Sequence, residues 1–240
     1  HPLRFRGIPN LRTGPSIPSP HPPDPSARSS IVVGVFDGGL DQENPMVKGF
    51  AKLSPVTVAS RPHPAYTAHG TAVSGTVLYG PLNKYGKNSK LPVPNVSVET
   101  FRVLPLRDPK DEDLYESIDM IEKIVPQRPD IKVYNLSFGP AGPILDDEIS
   151  RFTFVLDDIA QAHDVLFVVA VGNDGEEAAP DDRIQAPSDL VNGLGVGSHT
   201  WDHDGQVARA PYSCVGYGRE GCKIKPDVVA FGGCNERPIH

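Results

Sequence analysis

The sequence predicts an α/β fold in which helices cover both faces of a mostly parallel β-sheet. Short apolar, β-branched segments alternate along the chain with longer segments whose apolar residues recur at helical spacing. The short segments are apolar at consecutive positions, which is typical of strands buried on both faces. Parallel strands need long crossover connections, and helical segments of this length can supply them.

The strands and helices can be placed individually. The first strand, 31–36, reads IVVGVF and is ended by Asp37-Gly38-Gly39. A helix predicted at 111–125 has its apolar residues on one stripe and acidic residues in its first turn, where the helix dipole favours them. The remaining strands are predicted at 96–104, 131–136, 165–170, 194–198 and 227–230, and a second long helix at 145–163.

Proline divides the chain into two parts. Eight of the 26 prolines lie within residues 1–30. Because proline fixes φ and lacks an N–H donor, this stretch does not suit a helix or the interior of a sheet. We therefore predict that 1–30 is an extended arm or linker, which lies on the body or leads to a further domain. The remainder, 31–240, forms the α/β body.

Charge and composition exclude several classes of protein. The net charge is −7, from 23 basic and 30 acidic residues, which argues against a nucleic-acid partner. No apolar run approaches the ~18 residues of a membrane span. An odd number of cysteines predicts three free thiols, with a Cys214–Cys222 bridge as the alternative. Free thiols and the lack of a recognisable signal peptide favour a cytoplasmic location.

Three polar residues are candidates for chemistry. Asp37 follows the first strand, His69 opens the segment HGTAVSG, and Asn173 follows the strand 165–170. Taken singly, each also fits a plain turn or surface position. In parallel sheets, however, chemistry is located outside the carboxyl ends of the strands, so we expect Asp37 and Asn173 at one edge, together with Ser137, which follows the strand 131–136. The small residues after His69 predict a helix packed closely against a neighbour, with Gly75 permitting the approach.

Five segments together resemble the subtilisin-like serine protease family. They are IVVGVFDGG, HGTAVSG, VYNLSFG, FVVAVGNDG and KPDVVAFGG, and they occur in that family's order between residues 31 and 233. The resemblance implies a three-layer α/β/α fold and hydrolysis of peptide bonds through an acyl-enzyme. It also implies roles for individual residues: Asp37 as the orienting acid, His69 as general base and acid, Asn173 as oxyanion donor, and Ser137, Phe138, Gly139 and Gly172 as substrate-binding residues.

The sequence departs from the family at the nucleophile. The expected Gly-Thr-Ser run is absent, and only 13 residues follow Asp227. We therefore expect the fold to lack its C-terminal part and the catalytic serine to lie outside these 240 residues, in the same polypeptide or on a second chain. The alternative is an inactive pseudo-protease that binds peptides or regulates another protein. Gly38 and Ala72 replace the usual Ser or Thr and the usual second His, and these variants resemble a bacterial branch without secretion signals.

No cofactor is expected. Met46 stands where relatives carry an acidic calcium ligand, and a thioether is a poor ligand for a cation that prefers oxygen. A weak ion at Asp41 and Glu43 is the alternative to a solvated turn there. Polypeptide substrates, and a second chain or a regulatory protein, are the expected partners. The glycines at 193, 195 and 197 lack the full spacing of a dinucleotide fingerprint and are predicted to serve packing.

Overall fold

The computed structural model describes an α/β sheet with eight strands and three α-helices. The residues that it describes are 20–24, 26–105, 111–144, 148–222 and 224–234. The strands are β1 Val32–Asp37, β2 Ala51–Leu53, β3 Ser97–Arg102, β4 Val133–Leu136, β5 Leu166–Ala170, β6 Gly193–Trp201, β7 Val207–Arg209 and β8 Val228–Phe231. The helices are α1 Pro64–Tyr79, α2 Tyr115–Ile124 and α3 Arg151–His163.

The sheet is mostly parallel, which confirms the predicted fold class. Its strand order is β2-β3-β1-β4-β5-β6-β7, and β8 also pairs with β6. All of these pairs are parallel except β6 with β7. All the predicted strands occur, but β2 and β7, with three residues each, were not predicted. Segments this short carry too few residues to show a periodic pattern.

One face of the sheet forms an aromatic core beneath α2 and α3. Phe36, Phe101, Tyr134 and Phe167 project from four neighbouring strands and are at most 1% exposed. The rings of Phe36 and Tyr134 stack with centroids 5.0 Å apart. Phe36 and Leu136, at the carboxyl ends of β1 and β4, belong to this core, so the core packs directly against those strand ends.

The opposite face of the sheet also carries a helix, as predicted, but the described residues cover only part of it. Here α1 packs on β1 and β3. Beyond α1, the register places Val133, Leu166, Val168, Val196 and Val228 on the same face. Val133 and Leu166 are each 36% exposed and Val228 is 46% exposed. We call these five residues the open face, because central strands of a parallel sheet are normally covered there.

Helices α2 and α3 begin later than the sequence predicted, whereas α1 begins at Pro64, before the predicted first turn at His69. Predicted at 145–163, α3 begins at Arg151, because the Ser150 hydroxyl accepts a hydrogen bond from the backbone N–H of Thr153 at 3.1 Å and caps the helix. Residues 145–147 lie outside the described residues. Predicted at 111–125, α2 begins at Tyr115. The Asp111 carboxylate accepts from its first N–H groups and so lies before the helix and not within it.

Part of the N-terminal arm lies on the body. The N–H of His21 donates to the carbonyl of Ser89 at 2.8 Å, and the Arg28 side chain donates to the carbonyl of Gly49 at 2.6 Å. Residues 1–19 of the predicted arm are outside the described residues. Within the described parts of the chain, no helix combines the length and apolarity needed to cross a bilayer. The three cysteines are free, as the sequence predicted.

Candidate active site

The candidate site lies at the carboxyl edge of the parallel strands. Asp37 is the last residue of β1, Ser137 directly follows β4, and Asn173 comes three residues after β5. Since β4 lies between β1 and β5, these ends are neighbours along one edge. The sequence predicted Asp37, Ser137 and Asn173 at the same edge, and the topology of the sheet confirms that placement.

Asp37 and His69 are in direct contact. Nδ1 of His69 lies 2.9 Å from Oδ2 and 3.0 Å from Oδ1 of Asp37. The side chain of Asp37 is 1% exposed and that of His69 is 19% exposed. Because a carboxylate only accepts, Nδ1 carries the proton and Nε2 is left with a lone pair. This pair can therefore take up a proton at Nε2 and stabilise the resulting imidazolium.

Helix α1 presents His69 to Asp37. The helix begins with Pro64 at its first position, and the ring of His63 accepts a hydrogen bond from the N–H of Ala65 at 3.3 Å. On the same helix, the Ser74 hydroxyl lies 2.9 Å from the hydroxyl of Thr100 on β3. This buried contact fixes the rotation of α1 on the sheet and hence the direction of the His69 side chain.

Gly38 and Gly70 allow the helix and the strand end to meet. A Cβ at Gly70 would lie less than 3.0 Å from the Gly39 carbonyl oxygen and 3.1 Å from Oδ1 of Asp37. A Cβ at Gly38 would lie less than 3.0 Å from the side chain of Tyr66. Tyr66 thus occupies the space that a Ser or Thr at position 38 would need. Gly75, which we expected to permit the approach, has its nearest neighbour at 4.0 Å, so that expectation was wrong.

The Asn173 segment is held on both sides. Gly172 adopts φ +109°, a conformation that favours glycine, and its carbonyl accepts from the N–H of Cys214 at 3.3 Å. The N–H of Asp174 donates to Sγ of Cys214 at 3.2 Å, and the Gln185 amide donates to the Asp174 carboxylate. Cys214 and Gln185 therefore brace the turn that carries Asn173. Neither was predicted, because no local pattern links them to a turn 11 or more residues away.

The segment Ser137–Gly139 continues β4 beyond the sheet. The Ser137 hydroxyl donates to Oδ1 of Asn135 at 3.0 Å, within the segment itself. Phe138 is 5% exposed, and its ring centroid lies 6.2 Å from that of Phe152, so its side chain belongs to the core. A Cβ at Gly139 would clash with the carbonyl of Ala186. What this segment offers a ligand is therefore mainly its backbone.

The other serines considered from the sequence have structural partners. Ser188 donates to the carbonyl of Gln185 at 2.6 Å, Ser198 contacts the Tyr212 hydroxyl at 2.8 Å, and Ser213 accepts from the N–H of Ser198 at 2.9 Å. Among the described residues, no serine hydroxyl forms a hydrogen bond with the His69 ring. The same part of the chain shows no cluster of three or more His, Cys, Asp or Glu side chains that could hold a metal ion.

Cys214 is expected to resist alkylation in the native protein. Its side chain is 2% exposed, and burial raises the pKa of the thiol to about 11 from an ordinary 9.0. Only the thiolate reacts, so iodoacetamide at neutral pH should modify the half-buried Cys222 and Cys234 first, and Cys214 only after unfolding in urea. Peptide mass spectrometry measures the modification at each site. Equal rates at Cys214 and Cys222 would contradict the described environment.

Comparisons with known proteins place the chain among proteases of one family. A model of the subtilase family matches residues 28–239. A search of curated proteins found no significant match. Solved structures with a similar fold include a mutant of the protease domain of PatA, at 19% identity with a TM-score of 0.56. They also include the prenylagaramide maturation protease PagA, at 22% and 0.52, and the epidermin leader peptide processing serine protease EpiP from Staphylococcus aureus, at 19% and 0.54.

Coverage differs between this chain and those structures. Each match covers 88% of this chain, but 70% of the PatA domain, 65% of PagA and 53% of EpiP. At these identities, the structural similarity shows the fold alone.

Proposed function

Since the chain belongs to the subtilase family of serine peptidases, we propose that Asp37 and His69 are two members of an Asp-His-Ser triad that hydrolyses peptide bonds. The observation that carries the proposal is the contact of Nδ1 of His69 with both carboxylate oxygens of Asp37, at 2.9 and 3.0 Å. A buried carboxylate behind an imidazole fixes its tautomer and stabilises its protonated form. These are the properties that a general base needs when it activates a hydroxyl.

The proposed reaction uses Asp37, His69 and Asn173 together with the external serine. Nε2 of His69 accepts the proton of the serine hydroxyl as the oxygen attacks the scissile carbonyl carbon. The carbonyl oxygen becomes an oxyanion, and the Asn173 side-chain amide donates a hydrogen bond to it. The intermediate collapses, the C–N bond breaks, and the imidazolium returns the proton to the leaving amine. Water then hydrolyses the acyl-enzyme by the same two steps, with His69 again as the base.

Support for a nucleophile outside the 240 residues comes from the open face. Its valines and its leucine lie beside α1, on the same face of the sheet as Asp37. An apolar helix packed on the open face would remove this apolar surface from water, which stabilises the packing by roughly 25 cal/mol per Å² buried. A helix in that position would run next to α1, so its first turn could bring a serine hydroxyl to Nε2 of His69. This helix, with its serine, belongs to the same polypeptide or to a second chain.

Substrate binding is assigned to the backbone of Ser137, Phe138 and Gly139. An extended peptide can add to this segment as a further strand, held by main-chain hydrogen bonds. The burial of Phe138 fixes the segment, and the tight contact of Gly139 with Ala186 holds its far end. A rigid edge of this kind reduces the entropy that is lost when the peptide is ordered.

A fluorophosphonate probe tests the proposed function. In this reaction, the serine oxygen forms a bond to phosphorus, fluoride leaves, and His69 takes the proton. We expect the full-length protein, with any co-purifying chain, to be labelled at one serine outside the 240 residues, as mass spectrometry of the digest can identify. His69→Ala should abolish the labelling, whereas His203→Ala, in an exposed turn, should retain it.

Two outcomes would contradict the proposed triad. Labelling that persists in the folded His69→Ala variant would show that His69 is not the base, and labelling at Ser188 or Ser213 would show that the nucleophile lies within the 240 residues. No labelling of a folded, complete protein, together with retained binding of an extended peptide, would instead support the inactive peptide-binding module.

Asn173→Ala is expected to lower kcat about 10²–10³-fold with little change in KM, because the amide acts on charge that develops only in the transition state. This magnitude is the one known for subtilisin, a member of the same family. Asn192→Ala, at an exposed asparagine on the amino-terminal side of β6, provides the control. Steady-state kinetics with one peptide substrate measures both parameters. A similar loss of kcat in the two variants would contradict the assignment of Asn173 as the oxyanion donor.

A further inference from the structure

A basic side chain reaches the turn that carries Asn173 from a distant strand. Arg209 is the last residue of β7, and its Nη1 donates a hydrogen bond to the carbonyl oxygen of Gly175 at 3.3 Å. Gly175 follows Asn173 by two residues, whereas Arg209 lies 34 residues further along the chain. This contact therefore joins the turn of the proposed oxyanion donor to a strand that the sequence did not predict.

The same nitrogen atom also binds the segment that follows β7. Nη1 of Arg209 donates to the carbonyl oxygen of Pro211 at 2.9 Å and to that of Ser213. A turn brings these carbonyls together, because the N–H of Ser213 donates to the carbonyl of Ala210 at 2.9 Å. Carbonyl oxygens from two separate segments thus share one charged donor, and hydrogen bonds from a charged donor are stronger than those between neutral groups.

The two segments are in tight contact at Gly175. The N–H of Gly175 donates to the carbonyl of Tyr212 at 2.9 Å. A Cβ at Gly175 would lie less than 3.0 Å from the carbonyl of Ser213 and from Nη1 of Arg209. Since Gly175 is bonded through both its N–H and its carbonyl, the turn with Asn173 cannot shift unless these hydrogen bonds break.

Arg209 differs in kind from the other residues that brace this turn. Cys214 is 2% exposed and offers the N–H of Asp174 a sulfur atom, which is a weak acceptor. Gln185 bonds the side chain of Asp174 and not the backbone of the turn. Arg209 is exposed and binds the backbone of the turn with a full charge. Its replacement therefore removes hydrogen bonds to the turn with little loss of buried apolar contact.

The position of this turn matters for the chemistry assigned to Asn173. An oxyanion donor must lie roughly 2.7–3.1 Å from the place where the negative charge develops. A displacement of about 1 Å can lower the rate of such a reaction by about 10²-fold. The Asn173 side chain moves with its backbone, so a contact that holds the turn acts on the transition state and not on the binding of peptide along Ser137–Gly139.

We infer that Arg209 is a positioning residue for the oxyanion donor: it ties the carbonyl of Gly175 to the carbonyls of Pro211 and Ser213 and so fixes the direction of the Asn173 amide. The inference rests on the proposed function, because it takes Asn173 as the oxyanion donor. Arg209 itself does not touch the substrate, and its effect on hydrolysis passes through Asn173.

A double-mutant cycle on the complete protein tests this dependence. Arg209→Met, which keeps the aliphatic stem, should lower kcat for a peptide substrate about tenfold and leave KM within a factor of about two. In the Asn173→Ala background, the same replacement should lower kcat by less than about twofold, because the amide that it misplaces is already gone. Arg151→Met is the control, since Arg151 is an exposed arginine of α3 that donates to Asp119 at 2.6 Å, and it should stay within about twofold in both backgrounds.

The conservative replacement separates the hydrogen bonds from the size of the side chain. One nitrogen of Arg209 makes all three contacts, and a lysine ammonium also carries three donors on one nitrogen. Arg209→Lys should therefore have a kcat between those of the parent protein and Arg209→Met. Should Arg209→Met not fold, the smaller loss in Arg209→Lys must still disappear in the Asn173→Ala background. Losses that add in full in the two backgrounds overturn the inference.

Hydrogen exchange distinguishes failure of this inference from failure of the proposed function. The amides of Asp174 and Gly175 donate within the braced turn, so their exchange, followed by mass spectrometry, reports how firmly the turn is held. Exchange should be faster in Arg209→Met than in the parent protein and unchanged in Arg151→Met. Unchanged exchange in Arg209→Met overturns the tether, whether or not the protein cleaves peptides. No cleavage by the complete parent protein, with faster exchange in Arg209→Met, overturns the proposed function and keeps the tether.

Discussion

Replacing Asp37 with Asn is expected to lower kcat for peptide hydrolysis about 10⁴-fold while the protein stays folded. Oδ1 of Asp37 accepts from the N–H of Gly38 at 2.7 Å, and Oδ2 lies 2.9 Å from Nδ1 of His69. An asparagine would keep its oxygen on Gly38 and turn its NH₂ toward the ring. Nδ1 would then accept a hydrogen bond instead of donating one, which places the ring proton on Nε2. A protonated Nε2 cannot accept the proton of the serine hydroxyl.

The matched control is Asp41→Asn, which makes the same change in charge at an exposed position four residues further on. Steady-state kinetics of both variants, with circular dichroism to verify folding, measure the effect. We expect Asp41→Asn to stay within a factor of about two of the parent protein, since surface charges contribute little. Equal losses in the two variants, or more than a tenth of the activity left in Asp37→Asn, would contradict the triad.

Replacing Gly70 with Ala is expected to lower the free energy of unfolding by about 2–3 kcal/mol, although alanine is the better helix former. The added Cβ would meet the backbone carbonyl of Gly39, which no side-chain movement can relieve, and would lie 3.1 Å from Oδ1 of Asp37. Helix α1 must then move away from β1. The contact between His69 and Asp37 should lengthen, so activity should fall along with stability.

Gly75→Ala is the control on the same helix, and its expected effect has the opposite sign. Nothing except Val47, at 4.0 Å, lies near its Cβ position, so alanine should raise the free energy of unfolding by about 0.5–1 kcal/mol. Urea denaturation measures both variants. A stabilised Gly70→Ala protein would show that the helix and strand are not packed as described.

The polar ends of the strands were predictable because they depend on local pattern. A β-branched apolar segment followed directly by an acidic residue, as at Asp37, predicts a strand and places the acidic residue at its carboxyl end. The parallel arrangement then brings Asp37 and Asn173 to one edge, although 136 residues separate them. The order of the five segments indicated the family before any contact was known. Short edge strands and helix starts were missed, since a cap such as Ser150 is recognised only once its N–H partner is placed.

The sequence by itself determined which polar residues are candidates for chemistry and which of them follow a strand, because both depend on residue type and spacing. The tertiary structure alone decided what surrounds those residues. Tyr66 fills the space above Gly38, Cys214 and Gln185 brace the Asn173 turn, and α1 leaves the open face uncovered. These features arise from contacts between distant segments. Such contacts follow from packing in three dimensions, and no period or motif along the chain records them.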